Sequence, residues 1–367
     1  MASSSVPSKM RAAQVVEFNK PYAVNTIPVP SSLSPHDLLI HVAVASLCHT
    51  DFMVSSGLMG TSLPCTGSHE GSGTVVAIGS SVTSFSPGDR VMAGIMYHPC
   101  GTCSDCLGPE NYRQYCQFGK GYCGVTTQGF FAEYARIDAR WAVKIPDNVR
   151  FETAAPLACA GCTIYRGIIL SGVKAGEWLA IVGSGGGLGH LGIQFARARG
   201  LNVVGIDARD EGLALSRKVG AQVVFDARKG VEEVVQAVRE VTGGEGVNCT
   251  LNVSDADGAA ALSCAVTKMH GDMIQIAQPD NVSIPFRELV FRDIRVRGSL
   301  ICSAEEAREM LQVVGEHGIS VKTNVFHRLD ELEKLVALAH SGKMSGKGVL
   351  VMDNEQIEKE KKNGAVV

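Results

Sequence analysis

One stretch limits the folds open to this chain more than any other. Residues 178–182, Trp-Leu-Ala-Ile-Val, form a short apolar run of strand character. It passes straight into Gly183-Ser-Gly-Gly-Gly-Leu-Gly189. The segment from His190 to Arg199 then carries apolar residues at helical spacing, and Gly200 closes it. A second β-rich run, Asn202-Val-Val-Gly-Ile206, ends in Asp207. Strand, Gly-rich turn, helix, strand and acid, in that order, predict a dinucleotide-binding unit. Backbone N–H groups at a helix N-terminus would face the pyrophosphate, and a Cβ there would block the approach. Gly183, Gly186, Gly187, Leu188 and Gly189 are therefore the expected cofactor contacts. Asp207 can accept from both hydroxyls of a ribose and repels a 2′-phosphate, which favours NAD(H) over NADP(H). Arg209, two residues on, pulls the other way as a partner for phosphate.

The alternation continues downstream. Helices are expected at 211–219, 231–241 and 258–266, and strands at 223–225, 247–253 and 272–277, which gives a parallel sheet with helices on both faces. Helices at 304–315 and 330–341 then lead to a strand at 348–352. The charged tail 354–367 is expected to fray. Before residue 150 the texture differs. Runs at 11–17, 38–47, 73–78 and 90–92 are β-rich and broken by Pro28, Pro30, Pro35 and the turn 86–89, which predicts an all-β domain of barrel or sandwich kind. A length of 367 residues suits two domains, so the fold class expected is α/β with two domains.

The chain has twelve cysteines. A disulfide framework fits poorly, because the chain is long and opens without a secretory pattern. Clustering points instead to metal. Cys100, Cys103, Cys106 and Cys116 form two Cys-x₂-Cys steps and a further thiol, which suits a lobe of about 98–118 closed on a structural zinc ion; Cys123 is the weaker choice for the fourth ligand. A second set begins with Cys48-His49-Thr50-Asp51 and Gly67-Ser68-His69-Glu70-Gly71. Cys48 and His69, joined by a thiol near the start of an expected helix at 153–170, would hold a zinc ion with one position open. That thiol is Cys159, with Cys162 one helical turn away as the alternative.

A net charge of −3 gives no electrostatic case for nucleic acid or an anionic membrane. No run of about 18 apolar residues is evident, so no spanning helix is expected. The Ser-rich N-terminus lacks a secretory core, and the terminal Gly-Ala-Val-Val is neither a prenylation box nor a peroxisomal signal. A cytoplasmic location follows as the expectation.

These residues resemble the zinc-dependent medium-chain alcohol dehydrogenases, nearest their yeast and fungal branch, over nearly the whole chain. Cys48-His-Thr-Asp51, Gly67-Ser-His-Glu-Gly71, Leu157-Ala-Cys-Ala-Gly161 and the four-Cys lobe carry the likeness. The resemblance implies a GroES-like catalytic domain at 1–160, a Rossmann domain at 161–300 and a return to the catalytic domain at 301–367. It implies two zinc ions per chain and selects Cys159 over Cys162 as third ligand of the catalytic one. Thr50 would pass the alcohol proton, Asp51 would orient His69, and Glu70 would stand behind the metal. His49 and Lys347 would lie near the pyrophosphate. The implied activity is reversible hydride transfer between an alcohol and an aldehyde or ketone with NAD(P)(H), in a homodimer or homotetramer.

Three departures stand out. Ser68 replaces a Gly of the signature beside His69, Ser184 replaces the usual first Gly of the turn, and Met53 occupies the place of a proton-relay His. Ser55 and Ile95 stand where small-alcohol enzymes of the yeast type carry Trp, which predicts a wider pocket and a substrate bulkier than ethanol. The same site runs in both directions, so a carbonyl reductase of a biosynthetic pathway is the alternative. A nucleotide-binding protein that has lost its chemistry is the remoter one.

Overall fold

The computed structural model describes residues 6–367; the first residues of the Ser-rich start, 1–5, lie outside the described residues. The chain forms two compact units, one from the chain up to Cys159 with Cys302–Val367, the other from Ala160–Ile301.

The first unit is β-rich. Its largest sheet has seven strands, ordered Val143–Lys144, Arg90–Met92, Glu70–Ile78, Asp37–Leu47, Lys347–Val351 and Thr323–His327, with Tyr134–Asp138 also paired to Asp37–Leu47. The chain returns to this unit through Lys347–Val351, antiparallel to Asp37–Leu47 with Gly348 opposite Leu47. Asp37–Leu47 is buried along nearly its whole length, so it reads as a continuous apolar run, as a strand covered on both faces does. Leu38, Ile40, Val42, Phe130, Phe131 and Ile137 fill the core beside it. Glu70 pairs with Ser46 near the end of that strand, so the sheet delivers the His69–Glu70 segment next to Cys48.

The second unit is a six-stranded sheet ordered Val223–Asp226, Asn202–Asp207, Trp178–Val182, Val247–Asn252, Thr267–Gln275 and Arg295–Gly298. Every pairing in it is parallel. The order reverses at Trp178–Val182, the switch point at which such sheets bind ligands beyond their strand ends.

Several expectations need correction. All four residues of Arg295–Gly298 are exposed and three of them are Arg or Gly, so no alternation marks it as a strand. Thr267–Gln275 starts five residues earlier than expected. The tail does not fray: Asn354–Lys362 is a helix with Ile357 and Glu360 buried, and Val366 and Val367 donate backbone N–H to Asn148 O. The helical run Phe151–Ser171 is long and apolar enough to cross a membrane by composition, contrary to expectation, but 78% of its apolar window is buried inside the protein.

Candidate active site

Cys48 ends the long strand and stands at the N-cap of the helix His49–Ser55 in extended conformation. Its N–H donates to Asp51 Oδ2 at 2.8 Å, and Asp51 Oδ1 accepts the Ser68 N–H at 3.0 Å. The same oxygen lies 3.8 Å from His69 Nδ1. One buried carboxylate thus ties the Cys48 segment to the His69 segment. The resemblance implies for Asp51 only the orientation of His69.

Ser68 explains its own departure from the signature. Its φ is +68°, a left-handed conformation that suits Gly and costs other residues about 1–2 kcal/mol. Its hydroxyl offsets that cost by donating its one hydrogen to Ser46 O at 2.9 Å, with Glu70 O at 3.1 Å as the alternative acceptor.

Cys159 enters from the third direction. The helix Phe151–Pro156 ends in a proline, and Leu157–Gly161 widens into a π-turn, a feature common at functional sites. Ligand atoms of Cys48, His69, Glu70 and Cys159 all lie within 4.8 Å of one another, and Cys162 is not in the set. Both ring nitrogens of His69 are buried without a hydrogen-bond partner. A buried orphan imidazole between two thiols is costly unless a cation occupies the space, so the donor set fits zinc.

The electrostatics of these groups agree. A hydrogen bond from Cys159 holds the Cys48 thiol well below its ordinary value despite burial, and the same contact with burial pushes Cys159 up. Burial opposes charge on His69, but the Cys48 thiolate and Asp51 raise it overall.

Lys347 and Glu70 form a pair that sequence reading missed. Lys347 Nζ lies 2.7 Å from Glu70 Oε2 and 3.0 Å from Oε1, with both residues buried. Burial pushes Glu70 up to about 7 against the pull of the ammonium; Lys347 is raised because Glu70 outweighs its own burial. The resemblance places Lys347 near the pyrophosphate; here its ammonium sits on Glu70. His49 is exposed, and Thr50 and Met53 are half-buried on the same helix. Ser55 lines a separate cavity of about 710 Å³ with Tyr22, Phe52, Val336 and His340, which includes none of Cys48, His69 and Cys159. The pocket-widening expected of Ser55 therefore has no support here, while Ile95 is buried.

In the lobe, the Sγ atoms of Cys100 and Cys106 are 3.9 Å apart, and those of Cys116 and Cys100 3.7 Å. Four sulfurs at about 2.3 Å from a tetrahedral zinc stand about 3.8 Å apart, so this cluster also fits the ion. The N–H groups of Thr102 and Cys103 point at Cys100 Sγ, and hydrogen bonds of this kind, Thr102 first, bring its pKa down to about 6. Cys123 is outside the set and packs in the sheet core. His98, beside the lobe, is bonded to buried Asp37 at 2.6 Å.

In the second unit the Gly-rich turn follows Trp178–Val182 and the helix Gly189–Ala198 begins where expected. Gly183 has φ +87°. Ser184 turns inward and shares a hydrogen bond with Ser216 at 2.7 Å, which accommodates it at the glycine position. Sequence reading missed Gly185 and Gly212. A Cβ on Gly185 would lie 2.0 Å from Gly212 O, and one on Gly212 2.4 Å from the Asp207 carboxylate. Asp207 accepts from Gly185 N–H at 2.9 Å and Arg209 N–H at 3.0 Å, with Arg209 Nε 3.5 Å away. Each carboxylate oxygen keeps a further acceptor site for a ribose hydroxyl.

With this geometry established, the comparisons are consistent. Residues 34–147 match the alcohol dehydrogenase GroES-like domain and residues 187–316 the zinc-binding dehydrogenase domain. An alcohol dehydrogenase of Geobacillus stearothermophilus is 33% identical over 347 residues, 94% of this chain and 100% of its own length. One from Schizosaccharomyces pombe is 31% identical, covering 94% and 99%. The solved alcohol dehydrogenase of the archaeon Aeropyrum pernix has a TM-score of 0.84 at 27% identity, covering 93% of this chain and 100% of that one. A GroES-like unit with a cysteine–histidine donor cluster and a Rossmann-type sheet define a zinc-binding dehydrogenase fold. The chain belongs to the zinc-dependent medium-chain alcohol dehydrogenase family. These bacterial and fungal relatives match about equally, so the fungal branch is not singled out.

Proposed function

We propose that this protein catalyses reversible hydride transfer between an alcohol and its aldehyde or ketone, with NAD(H) preferred and NADP(H) tolerated. The observation that carries the reading is the convergence of half-buried Cys48 and Cys159 on buried His69, with both imidazole nitrogens orphaned. When bound, zinc would supply Lewis acidity of the kind that moves the pKa of water from about 15.7 to about 7, and the nicotinamide would accept hydride. The protein's own part is to hold and orient. Cys48, His69 and Cys159 would be the ligands; Asp51 fixes two of their segments; Glu70 and Lys347 set the charge behind them. Thr50, on the first turn after Cys48, would take the alcohol proton. With Met53 in place of a relay His, Thr50 would pass it to water or to a ribose hydroxyl.

Membership of the family supports alcohol dehydrogenase chemistry, and the substrate is part of the same proposal. Ile95 alone now favours one bulkier than ethanol. The exposed Phe286, Val290 and Phe291 near the free edge strand Arg295–Gly298 favour a homo-oligomer. Six of the cysteines gather in two sets of metal donors, a use of thiols that suits a reducing, cytoplasmic setting. Steady-state rates over ethanol, hexanol, benzyl alcohol and cyclic alcohols, each with NAD and NADP, test the reading. A clear preference for ethanol removes the bulky-substrate proposal, and no turnover of any alcohol or carbonyl removes the enzyme.

A further inference from the structure

We propose that Glu360, in the C-terminal helix Asn354–Lys362, is a positioning residue for Cys159: it caps the helix that carries this sulfur and so sets how firmly the metal is held. The inference rests on the reading of Cys159 as a metal ligand.

Phe151 is the first residue of the helix Phe151–Pro156, and Arg150 before it makes no side-chain cap. The first N–H groups of a helix have no partner within it. Here both carboxylate oxygens of Glu360 accept the Phe151 N–H, at 2.9 and 3.1 Å, from 209 positions downstream. A buried carboxylate also meets the positive end of the helix dipole there. Glu360 is fixed in turn by Arg90, whose Nη2 is 2.5 Å from Oε2 and also donates to Val149 O, while the guanidinium lies 4.7 Å over the Phe151 ring. The chain's last residues fasten the same turn. Val366 and Val367 donate to Asn148 O, and Arg150 N–H donates to Val367 O.

At the other end of this short helix, Pro156 offers no N–H and the π-turn carries Cys159. About eight residues at about 1.5 Å each put cap and sulfur on the order of 12 Å apart. The regular part between them is only six residues long, so fraying from an uncapped first turn reaches the π-turn. Cys48 and His69 are held differently, through Asp51. Cys159 is thus the ligand whose placement depends on the far end of the chain.

The test is zinc release from the full-length protein to a chromophoric chelator, in wild type, Glu360→Gln and Glu360→Ala. The Cys103→Ala variant identifies which phase belongs to the lobe. Release from the His69 site should quicken about 5–30-fold in Glu360→Ala and less in Glu360→Gln, with the lobe phase unchanged. Hydrogen exchange over residues 151–161 should rise in step. Glu360→Gln, which keeps the side chain's shape, carries the test if the alanine variant does not fold. Equal acceleration of both phases, or no change in either, overturns the proposal. A wild type with only the lobe's phase would instead remove the metal reading, and the proposal with it.

Discussion

Glu70 and Lys347 lie 277 positions apart and meet as a buried ion pair, Nζ to Oε2 2.7 Å, directly behind the Cys48–His69–Cys159 cluster. The returning strand Lys347–Val351 supplies the cation and the strand Glu70–Ile78 the anion, both within one sheet. Breaking such a pair strands a charge in the interior, which costs about 3–5 kcal/mol, whereas replacing both partners with apolar groups is often neutral. Lys347→Met should therefore lower the unfolding free energy by about 3–5 kcal/mol in urea titrations. Adding Glu70→Leu should recover most of that loss. A single variant as stable as wild type contradicts the pairing.

The left-handed Ser68 makes a contrast between two small substitutions. Ser68→Gly relieves the backbone but loses the hydroxyl bonds, so it should stay within about 1 kcal/mol of wild type. Ser68→Ala keeps the strain and loses the bonds, and should cost about 1–3 kcal/mol. Chemical denaturation checks the order; an alanine variant more stable than the glycine one refutes it.

Arg209 lies beside Asp207 at the end of the second strand of the parallel sheet, with its side chain 42% exposed. If it accommodates a 2′-phosphate, Arg209→Ala should lower kcat/KM for NADPH about 10–100-fold and leave that for NADH nearly unchanged, since a hydrogen bond to a charged group contributes about 1.5–3 kcal/mol. Equal loss with both cofactors would place Arg209 elsewhere in the account.

Much of this organisation was legible because it is local. The strand–turn–helix–strand unit is contiguous, and the four lobe cysteines declare themselves by spacing. What stayed hidden depends on contacts between distant segments. Gly185 and Gly212 are required only because the turn, the helix Asp210–Lys218 and Asp207 crowd together. Lys347 gave no sign of Glu70. The tail's charged composition concealed two inward residues, Ile357 and Glu360, which dock it. Ser68 looked like a defect until its φ and its two acceptors were known.

On the proposed reading, Met53 takes the place of a relay imidazole while Cys48, His69 and Cys159 remain as ligands. A positioned base contributes about 10²–10⁴ in rate, roughly 3–5 kcal/mol, less than the on the order of 12 kcal/mol implied by a nine-unit shift of a hydroxyl pKa. Oxidation by the wild type should therefore show a weak pH dependence. Met53→His should add a rising limb near pH 6.5, the ordinary pKa of histidine. Superimposable profiles at every pH discard the relay argument.

The central claim is a metal ion beside His69, distinct from the one in the four-cysteine lobe. Zinc content of the purified, folded chain measures it directly, in wild type, His69→Ala and Cys103→Ala. The account predicts two zinc equivalents in the wild type, with a different one lost in each variant and alcohol oxidation abolished only in the first. A folded wild type holding a single equivalent that survives His69→Ala would contradict it.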